Sequence, residues 1–313
     1  MKKKEMWKKY PKPLEELTLL DRFLFDVAMS DPEICKNILS IILKNKKVTN
    51  IRIGIMEKTQ EPFYNSRAVR LDTLAFDEDD TVYDAEAQKS NKGRRVICRR
   101  SRLYQAHVDV SLMEPGDVDF AKMNDTYIIF ICPFDIFGYG KYMYTFQMEC
   151  EEVPGLRLED GATRIFLNTH GQNHEEVSEE LIHFLHYAET MSVGDEKVTS
   201  PRVLQLAKQV DEIKSNQEVG VKYMRMWEEF VYERMEGREE GREEGREEGY
   251  DLKCIQQVRA NLLKGRDTEL IADFLEEELE KINFIANIIK QQPDLDDEEI
   301  LYLLMEKAKD TEI

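Results

Sequence analysis

Apolar residues recur at helical spacing near the start of the chain. One set comprises Leu17, Leu20, Leu24 and Phe25, and a second comprises Ile34, Ile38, Ile41 and Ile42. Asp31-Pro32 separates the two sets, because proline ends a helical run. We therefore predict two helices within residues 14–43. Asp21 falls inside the first of them, either as an ordinary residue of its polar edge or leaning over a following sheet.

Five further stretches alternate apolar and polar residues or are rich in β-branched residues, which is typical of strands. The stretch at residues 70–88 holds two alternating runs separated by an acidic turn, so it predicts a hairpin. The others predict single strands at residues 50–56, 126–132, 143–148 and 164–168.

The predicted hairpin carries acidic residues on both of its strands. If Glu78 to Asp80 form the connection, Asp72 lies directly opposite Glu86. Alternation along the second strand places Asp84, Glu86 and Gln88 on one face. Converging carboxylates are typical of a site for Mg²⁺, which prefers oxygen ligands. The alternative is an ordinary hairpin whose acids are simply solvated on its polar face.

A basic stretch follows the hairpin directly. Residues 89–102 contain seven lysines and arginines and no acidic residue, within a chain rich in acids. Residues 97–112 predict a helix, on which Arg100 and Tyr104 are four apart and share a face. Such a helix could present a guanidinium and a phenol to a phosphate beside Asp72 and Glu86. A solvated basic face that offsets acids elsewhere is the alternative.

The rest of the chain predicts mainly helices. Residues 177–187 and 203–235 have helical patterns, with Trp227 and Phe230 on the apolar side of the longer one. A repeat of four residues at 237–249 places a glycine in every fourth position, which suits either a flexible spacer or a helix packed against its copy in an oligomer. Residues 250–313 predict short helices, either a helix-turn-helix or a small interaction module.

Composition limits the class of protein. The chain has 313 residues, of which 42% are hydrophobic and 34% charged, enough for one domain with a core plus an extension. The basic start lacks an apolar signal segment and no apolar run is long enough to span a bilayer, so we expect a cytoplasmic protein without a membrane partner. Five cysteines without paired spacing argue against a disulfide scaffold or a zinc ribbon. The net charge of −19 does not decide whether nucleic acid binds, because the local field near a cleft can differ in sign.

Taken together, these stretches resemble the PD-(D/E)XK nuclease family transposases, the group that includes the Rpn recombination-promoting nucleases. The resemblance covers most of residues 14–190 and the glycine repeat. Its matching stretches are LTLLDRFLF at 17–25 with DPEICK at 31–36, VRLD at 69–72, TVYDAEAQ at 81–88, RSRLYQ at 100–105, YIIFIC at 127–132 and GATRIFLN at 161–168.

The resemblance implies an α/β, restriction-endonuclease-like fold: a mixed central sheet flanked by helices, followed by an all-α C-terminal extension. It also implies that Asp72 and Glu86 bind Mg²⁺ or Mn²⁺ and that Asp21 is the acidic position of the first helix. Gln88 stands where the family motif has lysine, and a neutral amide can only hydrogen-bond to the attacking water. Arg100 and Tyr104, with Lys89 and Arg102 of the basic stretch, would contact the phosphates of DNA.

The expected domains are a basic tail at 1–13, a nuclease-like domain at 14–192, a charged helical segment at 193–236, a linker at 237–249 and a helical module at 250–313. The expected function is metal-dependent hydrolysis of DNA phosphodiester bonds, with homo-oligomerisation through the C-terminal helices. The alternative is a catalytically weak or inactive, oligomeric DNA-binding or regulatory protein that descends from such a nuclease.

Overall fold

A computed structural model describes residues 12–44, 46–54, 74–113, 119–194 and 200–311 of the chain. The chain divides into two compact units, Met1–Arg225 and Met226–Ile313. The first unit is mixed α/β and holds every strand of the described part, whereas the second is helical. The expected class, a mixed sheet flanked by helices with a helical C-terminal region, is therefore confirmed.

In the described part of the chain, six strands form one mixed sheet in the order β1-β2-β3-β4-β6-β5. The three central strands β3, β4 and β6 run parallel, while β1, β2 and β5 pair antiparallel with their neighbours. The central β4 is apolar along almost its whole length because helices cover both of its faces. The strands are β1 Arg52–Gly54, β2 Leu74–Phe76, β3 Val82–Ala87, β4 Thr126–Cys132, β5 Met143–Phe146 and β6 Ala162–Asn168.

Strands β2 and β3 form the predicted hairpin. Ala75 pairs with Tyr83 and Phe76 with Val82, which is the register that the sequence predicts for a connection at Glu78 to Asp80. Asp77 holds this turn, since its carboxylate accepts hydrogen bonds from the amides of Asp79 and Thr81 and from the Tyr83 hydroxyl. Residue Asp72, the proposed partner of Glu86, lies outside the described residues.

Helices cover the two faces of the sheet unequally. Five of the described helices contribute to one core with Tyr83 of β3 and Ile129 of β4, whereas the helix at Arg94–Leu112 covers the opposite face with Ile97 and Val108. The helices of this unit are α1 Arg22–Met29, α2 Pro32–Ile42, α3 Arg94–Leu112, α4 Glu179–Thr190, α5 Pro201–Ser215 and the beginning of α6 Gln217–Leu263.

Asp21 does not lie inside the first helix, contrary to the prediction. It is the residue before α1 and has extended backbone angles. The amide and hydroxyl of Thr18 both donate to its carboxylate, and its own amide donates to the Thr18 carbonyl, which closes a turn. Leu17 and Leu20 are buried by this turn. Their spacing was helical, but side-chain capping by Asp21 competes with helix in this segment.

The predicted helix at 203–235 is two helices. Asn216 interrupts it in an extended conformation, and its side-chain oxygen accepts from the amides of Glu218 and Val219. Asparagine favours this capping role over a place inside a helix. Helix α5 and the start of α6 belong to the core of the first unit, where Val203 and Leu206 are fully buried and Tyr223 nearly so. This core therefore continues past residue 192.

The second unit is built on the C-terminal part of α6. Its core contains buried isoleucines and Val258, contributed by α6, α7 Thr268–Leu275, α8 Leu279–Gln291 and α9 Asp297–Thr311. The glycine repeat is helical, and a Cβ added at Gly237, Gly241, Gly245 or Gly249 would meet no atom within 4 Å in the described part of the chain. Across the described residues, no helix has the length and apolar character needed to cross a membrane.

Candidate functional site

The side chains of β3 separate onto the two faces of the sheet as alternation requires. Tyr83, Ala85 and Ala87 contact the core beneath α1, α2, α4 and α5. Val82 packs under α3, so Asp84 and Glu86, which share its face, point to the same side. The carboxylates of β3 therefore lie against the helix that carries the basic stretch.

Glu86 and Arg100 form an ion pair on this face. A guanidinium Nη2 of Arg100 lies 3.2 Å from Glu86 Oε2, and the side chains are 30% and 17% exposed. The guanidinium also sits 5.3 Å from the ring centre of Tyr104 and 5.2 Å from that of Phe130. Partial burial beside two rings strengthens such a pair relative to one at an open surface. The structure thus brings together two residues that sequence places 14 positions apart.

Arg100 keeps hydrogen-bonding capacity in this arrangement. Its Nε atom is buried and has no hydrogen-bond partner among the described residues. A guanidinium presents five N–H donors in a fixed fork that matches the oxygens of a carboxylate or a phosphate. The Nε atom is closed off from solvent, so a donor for an anion has to come from the exposed 30% of the side chain beside the bond to Glu86.

Tyr104 lies one turn beyond Arg100 on α3 and packs against Phe130, with ring centres 6.0 Å apart. Burial raises the pKa of its hydroxyl to about 12, and the negative charge of Glu86 acts in the same direction. The phenol therefore stays protonated at neutral pH. It can donate a hydrogen bond to an anion but cannot act as a phenolate base.

Asp84 is a carboxylate that the sequence interpretation placed on the correct face but assigned no role. It is only 2% exposed, and its charge contributes to the raised pKa of Tyr104. Its position two residues before Glu86 was the signal in the sequence. The burial was not readable there, because it depends on α3 covering this part of the sheet.

Gln88 follows the end of β3 and is also buried. Its backbone amide donates to the Ile131 carbonyl at 2.8 Å, which continues the ladder with β4. Its side-chain amide donates to the carbonyl of Ser90. The side chain of Gln88 is thus held by the loop that leads into α3, and its hydrogen bond helps to fix this loop.

Lys89 and Asp21 lie together at the end of β3. The Lys89 ammonium bonds the Asp21 carboxylate, and Lys12 lies 3.6 Å from it. Partial burial acts to raise the pKa of Asp21, but the hydrogen bonds from Lys89 and Thr18 and the charges of Lys89 and Lys12 outweigh it. The pKa therefore lies below its ordinary value. Asp21 is an ionised partner of Lys89.

Arg102 is not brought to the site. It is exposed, and as residues two apart on a helix do not face each other, it lies away from the face of Arg100. Of the predicted phosphate-binding residues, Arg100 and Tyr104 are therefore adjacent to Glu86. Lys89 is occupied with Asp21.

Within the described ranges, no three His, Cys, Asp or Glu side chains group closely enough to hold a metal ion. Asp72 is not among these residues, so Glu86 is the member of the predicted pair of metal ligands that the structure describes. Comparison of the chain with protein-family models, curated proteins and solved structures gives no match.

Proposed function

We propose that this protein is a metal-dependent DNA endonuclease with a restriction-endonuclease-like core of the PD-(D/E)XK transposase type. The observation that supports this proposal most directly is the Glu86–Arg100 pair, 3.2 Å apart on the face of a mixed sheet. It joins an acid of the central hairpin to the basic helix that follows. An acid for a cation and a guanidinium for a phosphate are the two elements that phosphodiester hydrolysis needs at one place.

The donor chemistry at this place suits a hard divalent cation. Carboxylate oxygens are the ligands that Mg²⁺ and Mn²⁺ take, and Glu86 offers one on a rigid central strand. Glu86 and Asp72 would hold the ion. When bound, the ion would supply Lewis acidity to the scissile phosphate and a more acidic water.

The residues of the chain supply binding and orientation. Arg100 would donate to a phosphate oxygen and offset its charge, and the protonated Tyr104 hydroxyl would donate beside it. Gln88 would hydrogen-bond the attacking water through its amide, without taking its proton. Asp21 would act indirectly, by holding Lys89 at the end of β3.

A plasmid-nicking assay tests this proposal. The purified protein with Mg²⁺ or Mn²⁺ is expected to convert supercoiled DNA to the nicked form, and the D72A/E86A variant is expected not to. E176Q is a matched control, since Glu176 is an exposed acid outside the site that pairs with Lys141. Equal nicking by the wild type and D72A/E86A would falsify the site assignment.

A second candidate function is a DNA-binding or regulatory protein without cleavage. Two observations favour it: the side-chain amide of Gln88 is already bonded to Ser90, and Arg100 occupies Glu86. This candidate predicts DNA binding that weakens with salt and does not depend on a divalent ion. Calorimetric binding of Mn²⁺ that is lost in Glu86→Ala would argue against it.

The proposed partners are DNA and a second copy of the chain. The glycine repeat supports the second partner only through its sequence pattern, because close packing of helices favours small residues at regular spacing. Sedimentation of the full chain, compared with a variant in which Gly241 and Gly245 are both changed to glutamine, tests this proposal. A smaller assembly is expected for the variant if these glycines lie at a helix contact.

A further inference from the structure

A groove lies on the other side of α3 from the Glu86–Arg100 pair. Its volume is about 550 Å³, which falls within the range of sites for small organic ligands. The first two turns of α3 form one wall, and β5, β6 and the loop after β4 form the other. Its floor is the same sheet face that carries Glu86, since Glu86 pairs with Phe130 and Phe130 with Phe166.

Aromatic rings line the inner part of this groove. Phe137, Phe146 and Phe166 contact one another, with ring centres between 4.9 and 5.7 Å apart. Phe146 is on the edge strand and remains 42% exposed. A large exposed ring beside other rings is a surface on which a flat ligand can stack.

The rim of the groove is positively charged. It carries Arg94, Arg95, Arg99 and Arg164, and none of the described residues that line it is acidic. None of these four guanidinium groups lies within 4.0 Å of a carboxylate in the described part of the chain. Asp109 is near enough to Arg164 for the arginine charge to act on its pKa. Apart from that influence, no described carboxylate pairs directly with these four positive charges, in a protein of net charge −19.

Two of the arginines are already placed for recognition. The Arg94 guanidinium lies 5.1 Å from the ring centre of Phe137, which orients it over the aromatic cluster. The Nε atom of Arg164 is buried without a hydrogen-bond partner among the described residues. Arg164 lines the groove and stands opposite Phe146 in the β5–β6 ladder, so a positive charge and a stacking ring belong to one pair of residues.

We propose that this groove binds an unpaired nucleotide of a DNA strand, with the base stacked on Phe146 and the flanking phosphates on Arg94, Arg95, Arg99 and Arg164. Stacking on aromatic rings within a positively charged groove is the physical basis of single-strand binding. A base inside an intact duplex cannot reach the rings, because it is stacked on its neighbours. The groove therefore selects single-stranded or locally opened DNA.

The inference rests on the proposed function, because it names the form of DNA that the same sheet face receives. Glu86 and Phe166 are separated by two strand spacings, about 10 Å in all. Because α3 lies between the two places, a strand held in the groove would pass around this helix to reach Arg100. Binding in the groove would place the strand and would not itself carry out chemistry.

An oligonucleotide of about ten nucleotides that carries 2-aminopurine tests the inference without cleavage and without a divalent ion. The wild-type full-length chain is expected to bind it and to quench its fluorescence by stacking. Phe146→Ala is expected to remove most of the quenching. Phe120→Ala is the matched control, because Phe120 is 67% exposed and does not line the groove.

A second readout does not depend on stacking. Cys98 lines the groove and is partly exposed, as is Cys150 elsewhere on the first unit. The single strand is expected to slow alkylation of Cys98 by N-ethylmaleimide at least threefold and to leave the rate at Cys150 unchanged, as measured by peptide mass spectrometry. Arg99→Gln together with Arg164→Gln should abolish this protection.

The outcomes separate this inference from the proposed function. Quenching and Cys98 protection without nicking under any divalent ion would support nucleotide binding in the groove and contradict the proposed nuclease activity. Nicking accompanied by unchanged quenching in Phe146→Ala, or by no protection of Cys98, would refute nucleotide binding in the groove. The proposed nuclease function would then still stand. Equal affinity for blunt duplex and single-stranded DNA would also refute the proposal that the groove binds an unpaired nucleotide.

Discussion

Arg100 lies 3.2 Å from Glu86, so the acid proposed to hold a cation is already paired with a cation of the chain itself. The pair stands on a rigid strand and a rigid helix, beside the rings of Tyr104 and Phe130. A divalent ion at Glu86 would compete with the guanidinium for the same oxygens. If the ion displaced the guanidinium from Glu86, Arg100 would become available to bind a phosphate of the DNA.

This competition predicts opposite effects of one substitution on two affinities. Arg100→Gln removes the competing charge, so the affinity for Mn²⁺ measured by titration calorimetry should rise about fivefold, corresponding to roughly 1 kcal/mol. The affinity for DNA without a divalent ion should fall, because a phosphate contact is lost. Arg225→Gln changes an exposed arginine outside the site and should alter neither affinity by more than twofold. A fall in Mn²⁺ affinity in Arg100→Gln would contradict the competition.

The contact between Asp21 and Lys89 predicts a dependence of stability on pH. The pKa of Asp21 is lower in the folded protein than its ordinary value of 3.8, so the unfolded chain binds more protons at acidic pH. The stabilisation is therefore present above pH 3.8 and is lost as pH falls through the lower folded pKa. Asp21→Asn should reduce the free energy of unfolding at pH 7 by up to about 1 kcal/mol. In urea titrations the gap between the variant and the wild type should narrow as pH falls below 3.8, whereas a gap that stays constant with pH would exclude an ionic origin.

Much of the sheet could be predicted from local patterns. The run at 126–132 matches β4 residue for residue, since a short β-branched apolar stretch can be buried only as a central strand in this context. The hairpin register followed from the position of its acidic turn. Local pattern did not reveal that β6 lies between β4 and β5, because strand order depends on contacts between distant segments.

The candidate site was predictable to a smaller extent. The spacing of Arg100 and Tyr104 gave their shared face, and alternation gave the face of Glu86, so their meeting followed once α3 lay over β3. The ion pair between Lys89 and Asp21 could not be predicted from the sequence, because it depends on a turn that Thr18 and Asp21 close before α1. The groove between α3 and β5 was missed for the same reason: its phenylalanines and arginines come from four separate stretches, namely α3, the loop after β4, β5 and β6.

The turn at Asp77 predicts a large loss of stability on a single substitution. Its carboxylate is fully buried and accepts the Tyr83 hydroxyl at 2.6 Å and two backbone amides at 3.0 Å. Asp77→Ala leaves these donors without their acceptor, so the free energy of unfolding should fall by about 3 kcal/mol. Tyr83→Phe removes only one of the three bonds and should cost about 1.5 kcal/mol. Asp79→Asn, at an exposed position of the same turn, should change it by less than about 0.5 kcal/mol.

The structure of the loop after β4 leads us to expect that Asp135, which does not line the groove, affects nucleotide binding in it. The Asp135 carboxylate accepts hydrogen bonds from the amides of Phe137, Gly138 and Gly140 and from the Tyr144 hydroxyl. It thereby fixes Phe137, the ring over which Arg94 lies. Asp135→Ala should free this loop, so the proposed quenching of 2-aminopurine should fall at least threefold. The circular dichroism spectrum should stay unchanged, because the sheet core does not include Asp135.

Glu149→Ala is the control. This acid also accepts a hydrogen bond from a loop amide, that of Gly155, but the loop it holds does not line the groove. Undiminished quenching in Asp135→Ala would contradict this prediction, because it would show that the base stacks on Phe146 whether or not Asp135 holds Phe137 in place.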